Sequence, residues 1–132
     1  MNDYREYFDE VIHAHQLIEQ WFSSQQNDGT LEHLLTRFSP EFSMITPMGK
    51  ALDFMALTAL FQQAGGKRPG FTIQLSELRG IDQHANGATV SYREAQTDGT
   101  GLRTARYSTA IFEKPPSGQL KWRHLHETFC NE

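Results

Sequence analysis

A single cysteine, Cys130, stands in the whole chain. An internal disulfide is therefore impossible, and a cysteine-based zinc cluster is excluded. Basic runs are missing too. The densest, "GKRPG" at Gly66–Gly70, puts two cations in a turn. With a net charge of −4 the chain lacks the clustered Lys and Arg that phosphate neutralisation needs, so nucleic acid is not an expected partner. No apolar run approaches the roughly 18 residues of a membrane span. The first residues, "MNDYREYFDEVIHAHQ", are polar and acidic, unlike a signal or transit peptide. These absences point to a soluble, cytoplasmic protein without a membrane partner. "GGKRPG" has neither the spacing nor the flanking strand of a nucleotide loop, and no cofactor is expected.

What remains is enough for one domain over residues 1–132. Nine Phe, four Tyr and two Trp supply large side chains for a core. Asp3 followed by Glu6 resembles a capping box. Tyr4, Phe8, Val11, Ile12, His15, Ile18 and Phe22 recur at spacings of three and four, predicting a helix from about Asp3 to Gln25, ended by "NDG". Thr30 is expected to cap a second helix carrying Leu31, Leu34, Leu35 and Phe38 and stopped by Pro40. "EFSMITP" reads as a short strand and Met48-Gly49 as a turn. Asp53 is expected to cap a third helix ending at Gly65-Gly66.

Beyond Gly70 the apolar period changes from 3.6 to 2. "FTIQLSELR", "ATVSYREAQ", "LRTARYSTAIFEK" and "LKWRHLHETF" are extended segments, separated by Asn86-Gly87, Asp98-Gly99 and a Pro-Pro-Ser-Gly turn. Asn-Gly and Asp-Gly are strong hairpin signals. The expected fold is α+β, with three helices from the N-terminal half on a curved antiparallel sheet. Long twisted strands curl, and helices covering the concave face imperfectly leave a pocket.

Three stretches, "FSPEFSMITPMGKALD", "VSYREAQTDGTG" and "LKWRHLHETF", carry a resemblance to the cone-shaped nuclear transport factor 2-like superfamily, also called SnoaL-like or cystatin-like. The superfamily includes ketosteroid isomerase, scytalone dehydratase, limonene epoxide hydrolase and polyketide cyclases, so the resemblance implies a fold and leaves the reaction open. "VSYREAQTDGTG" is similar to the segment that carries a pocket arginine in the association domains of calcium/calmodulin-dependent kinases. That resemblance places Arg93 in the cavity, while two further pocket arginines fall on Ala110 and Phe129.

Alternation along the last strand groups Trp122, His124, His126 and Thr128 on one face, and Arg123, Leu125, Glu127 and Phe129 on the other. The two imidazoles, ~7 Å apart by strand rise, lack converging partners, so no metal is expected. Packed histidines are the plain alternative to a ligand or acid–base role. His13 and His15 are about 200° apart on a helix; His15 lies on the apolar stripe and is able to look into the cavity. Arg93 facing the cavity needs a counter-charge, for which Glu127 is the expected partner. The same pair is equally readable as an orienting core contact. Tyr92 and Tyr107 are candidates to place a phenol over a ligand. The candidate pocket residues are thus Arg93, Glu127, His126, His124, His15 and Tyr92.

Two functions follow. One is a small-molecule-binding or oligomerisation domain, pairing as a homodimer through the uncovered sheet face. The other is a cofactor-free isomerase, dehydratase or cyclase using a carboxylate/His pair on a small, partly apolar substrate. A polar cluster around a void favours the second; a filled apolar interior favours the first.

Overall fold

A computed structural model describes residues 3–24 and 28–131. The expected helix end at Gln25 and Asn27 lies outside these residues. The elements are α1 (Arg5–Ser23), α2 (Thr30–Leu35), β1 (Phe38–Ile45), β2 (Ala51–Asp53), α3 (Phe54–Ala64), β3 (Thr72–His84), β4 (Gly87–Thr97), β5 (Arg103–Glu113) and β6 (Lys121–Cys130). Three helices pack on a six-stranded mixed sheet of order β2-β1-β6-β5-β4-β3. The β3–β6 meander is antiparallel as expected, and β1 joins β6 in parallel. No helix among the described residues is long and apolar enough to cross a membrane.

The local chemistry explains most boundaries and corrects three. Asp53 caps α3, its carboxylate accepting the Ala56 N–H at 2.8 Å. Asp3 does not cap α1 through a box with Glu6. It accepts the Arg5 N–H at 3.0 Å and grips the Arg5 guanidinium, and the helix begins at Arg5. Thr30 is the first residue of α2, not its cap; Asp28 accepts its N–H instead. Phe38 leaves the helical series and opens β1, because α2 stops at Leu35 and the aromatic is needed in the sheet core. Proline at position 40 is tolerated in β1 near a register irregularity.

α1 lies across β3 and β4, with Tyr7, Val11, Ala14, His15 and Trp21 buried. The Trp21 indole donates to the Phe61 carbonyl at 2.6 Å and fastens α1 to α3. Gly65 ends α3 against the same ring: a Cβ there would lie 2.5 Å from Trp21 Cζ2. The core is aromatic, with Phe38, Phe42, Phe61, Phe112 and Trp122 in one cluster. Trp122 donates to Glu10 at 3.0 Å, and Glu10 also binds Arg37 at 2.5 Å, so the polar edge of the indole is satisfied inside the fold.

Candidate functional site

Strand register decides which side chains face the helices. The Asp98 turn sets Thr97 opposite Arg103, and from that pair the β4–β5 register runs without a break. Ala88, Val90, Tyr92 and Glu94 therefore share the helix-facing side with Phe112, Ala110, Ser108 and Arg106. Between β5 and β6 there is one irregularity: Ile111 pairs with His124, whereas Phe112 pairs with Trp122. Arg123 is the extra residue of a β-bulge, and such an insertion inverts the facing of everything beyond it. Trp122 faces the helices, and so do Leu125 and Glu127.

The result is a polar floor in two cross-strand rows. Tyr92, Ser108 and Glu127 form one; Glu94, Arg106 and Phe129 form the other. From α1, His15 reaches down with Nε2 3.1 Å from Glu94 Oε1, while its Nδ1–H donates to the Val11 carbonyl at 2.7 Å. A carbonyl only accepts, so that bond fixes the Nδ1 proton and leaves Nε2 to share a proton with Glu94. Gln96 donates to the other Glu94 oxygen at 2.7 Å. Arg106 Nη1 donates to Glu127 Oε1 at 3.3 Å and Ser108 to Oε2 at 3.0 Å. His15, Glu94 and Glu127 are only 6, 3 and 7 % exposed.

The environments drive the two carboxyls apart. Burial opposes ionisation of Glu94, but His15, Gln96 and Arg106 outweigh it and hold its pKa at about 2. Burial and the Glu94 charge push Glu127 above the ordinary carboxylate value, with Arg106 and Ser108 opposing. For His15, burial disfavours the cation, yet Glu94 and the Val11 carbonyl carry its pKa upward. Burial raises the Tyr92 phenol well above its usual value.

Above this floor is a cavity of about 220 Å³. Ile18 and Phe22 of α1, Phe38, Phe42 and Met44 of β1, Leu57 and Phe61 of α3, and Trp122 and Leu125 of β6 wall it. His15, Glu94, Arg106 and Glu127 are its polar lining. Thr46, Pro47 and the half-exposed Leu60 also border it, placing its open side between α3 and the β1–β2 turn. Apolar walls around a few converging polar groups are the ordinary anatomy of a small-molecule site.

Of the sequence-derived candidates, His15 and Glu127 border the cavity, and Tyr92 lies buried in the floor. Arg93 does not meet Glu127. It pairs across the sheet with Ser76 and Tyr107, on the face turned away from the helices, where Tyr107 is exposed. Glu94 and Arg106 hold the pocket charges instead. His124 and His126 are also on that outer face. Their rings lie 6.5 Å apart, and Ser43 is hydrogen-bonded to His124 Nδ1 at 2.7 Å. Trp122 does not share their row, because the bulge at Arg123 intervenes. Among the described residues no group of three or more His, Cys, Asp or Glu is placed to hold a metal. Glu94, Arg106 and Ser108 were not singled out by sequence reasoning. Opposite charges directly across a hairpin are a favoured pair, but this pairing is centred on Thr100, and a two-residue Asp98-Gly99 turn would instead set Glu94 opposite Arg103.

The chain is similar to several solved structures. An NTF2-like protein of unknown function from Pseudomonas aeruginosa is 42% identical, with TM-score 0.90 and coverage of 95% of this chain and 98% of that one. An NTF2-like protein from Cytophaga hutchinsonii shares the fold at 15% identity, TM-score 0.78, covering 98% and 100%. A ketosteroid isomerase-like protein from Erwinia carotovora atroseptica does so at 11% identity, TM-score 0.65, covering 94% and 93%. No family profile and no curated protein sequence matches the chain.

Proposed function

Since this chain belongs to the NTF2-like family, we propose that its cavity binds a small, largely apolar molecule and that the floor performs cofactor-free acid–base chemistry on it. The observation that carries this reading is the pair of buried carboxyls on one cavity. Glu94 is held ionised and Glu127 is pushed toward its protonated form. Two like groups separated in this way divide the roles of charge stabiliser and proton carrier. Glu127 is the group that gives or takes the substrate proton. Glu94 stays charged, favours the protonated form of His15, and balances positive charge at the floor. Arg106 orients Glu127 and supplies positive charge where negative charge develops in a reaction. The ketosteroid isomerase-like relative is consistent with chemistry of this kind.

The test is a panel of small ketones, epoxides and β-hydroxy carbonyl compounds in D2O, followed by NMR for deuterium uptake, isomerisation or loss of water. Turnover with any member, abolished in Glu127→Gln, is the expected result. Saturable binding with no turnover across the panel reduces the reading to ligand binding alone. Absence of both removes it.

The outer sheet face supports a further part of the reading, pairing with a second copy of the chain. Tyr107 and Ile111, four residues apart on β5, present large apolar surface there at 48 and 40 % exposure. Half-covered apolar groups on a sheet face are suited to such a contact.

A further inference from the structure

The hydrogen-bond inventory of the floor is one-sided. Both oxygens of Glu94 accept, from His15 and Gln96, and both oxygens of Glu127 accept, from Arg106 and Ser108. Two donors have no acceptor among the described residues: the buried Arg106 Nε–H and the buried Tyr92 hydroxyl. Arg106 borders the cavity, and Tyr92 stands behind the lining in the adjacent row, directly across from Ser108. Ser108 lies close enough to the phenol to act on its pKa as a hydrogen-bond partner does, but the two hydroxyls fall outside hydrogen-bond geometry. A buried donor left unpaired costs roughly 1–3 kcal/mol, so a floor carrying two is stabilised by whatever brings an acceptor.

Resting on the pocket reading above, we propose that the ligand is an uncharged, ring-sized carbonyl compound whose oxygen is received by Arg106 Nε–H with the Tyr92 hydroxyl behind it. The size follows from a cavity of about 220 Å³, below the ~300 Å³ at which drug-sized pockets begin. The flat apolar body follows from Phe22, Phe38, Phe61 and Trp122. The absence of ligand charge follows from the carboxyls. Burial and the Glu94 charge already oppose ionisation of Glu127 even with Arg106 alongside, and an anionic ligand on the same floor meets the same opposition. A carboxylate ligand is therefore disfavoured despite the arginine.

The experiment uses the full chain, ¹⁵N-labelled, titrated at pH 7 with acetophenone, ethylbenzene and benzoate, which have similar bulk and differ at the polar end. Acetophenone is expected to bind roughly tenfold or more tightly than ethylbenzene, because the site's donors are left unpaired by the hydrocarbon. Benzoate is expected to bind more weakly than acetophenone. Arg106→Lys keeps the positive charge beside Glu127 but removes the Nε–H, and Tyr92→Phe keeps the ring. Each is expected to bring the acetophenone-to-ethylbenzene ratio to within about twofold. Tyr92→Phe is also expected to leave the melting temperature unchanged or raised, since it deletes an unpaired buried hydroxyl. Equal binding of acetophenone and ethylbenzene overturns the inference while leaving the pocket reading intact. Benzoate as the tightest ligand overturns the assignment of an uncharged one. A clear fall in melting temperature for Tyr92→Phe overturns the role of the phenol. Failure of all three compounds to bind overturns inference and pocket reading together.

Discussion

His15 and Glu94 form a buried pair joined through a single proton, with Nε2 3.1 Å from Oε1 and the second ring nitrogen committed to Val11. The two partners act on stability from opposite sides of the pH scale. Glu94, depressed to about 2 from an ordinary 4.5, contributes stability that is present above pH 4.5 and lost as pH falls toward 2. His15, raised above 6.5, contributes stability that is full below 6.5 and lost as pH rises through its folded value. The pair's contribution is therefore greatest between about pH 4.5 and 6.5. His15→Ala should cost about 3 kcal/mol or more at pH 6, because a buried carboxylate is stranded. Urea midpoints from pH 3 to 8 test this: the mutant should lose the mildly acidic maximum.

Glu127 behaves in the contrary sense. Its folded pKa is raised, so the native state holds the proton more tightly than the unfolded chain does. Its contribution is most favourable at acid pH and is eroded as pH rises above the ordinary 4.5. Glu127→Gln should remove that erosion. Relative to the parent, the variant should gain stability steadily between pH 4 and its plateau, while losing any turnover. Parallel urea titrations at pH 4 and pH 8 read the effect; a variant equally displaced at both contradicts the raised pKa.

Arg106 and Arg93 should separate cleanly. Arg106→Met removes the cation from two buried carboxyls and should cost about 3 kcal/mol at pH 7, less at pH 4 where Glu127 carries its proton. Arg93→Met, on the opposite face, should leave the Glu127-dependent slope unchanged. Stability-versus-pH curves of the two variants make the comparison directly.

Gly65→Ala places a methyl group 2.5 Å from Trp21 Cζ2. The backbone there is ordinary, so the cost is steric alone. A loss of about 1–3 kcal/mol is expected from forced repacking between α1 and α3. A shift of the Trp21 emission should accompany it, and an unchanged melting temperature with unchanged emission would contradict the contact.

For the outer sheet face, sedimentation equilibrium at micromolar concentration is expected to give a dimer. Ile111→Lys should shift it to monomer without changing ligand affinity in the cavity. A parent that sediments only as monomer removes this part of the proposed function.

The hairpin turns made the meander legible in the sequence, and the period-3.6 stripe did the same for α1, because both are local signals. The Asp53 cap was readable for the same reason. What sequence did not yield was non-local. Phe38 fitted the i, i+7 place of a helical series and was drawn into β1 by the aromatic core. The parallel pairing of β1 with β6 has no local signature. The site was half legible. His15 and Glu127 are readable from the sequence, but the resemblance to a segment with a pocket arginine points to Arg93 in place of Glu94. Buried Ala88, Val90 and Tyr92 set the facing of β4 instead, and they put the next residue, Glu94, inside.

The single extra residue at Arg123 has a consequence for how such a pocket changes over evolutionary time. With the bulge, β6 offers the cavity Leu125 and Glu127; in an unbulged strand with Trp122 kept in place, the same letters in the same order would offer His124 and His126. The acid of this pocket is thus indexed by the bulge as much as by residue identity. Flattening the bulge would exchange a carboxyl chemistry for an imidazole chemistry without any substitution at the site itself, whereas deleting Arg123 would keep Leu125 and Glu127 facing inward. A relative without the bulge would align with this strand histidine to histidine while its cavity held a different group.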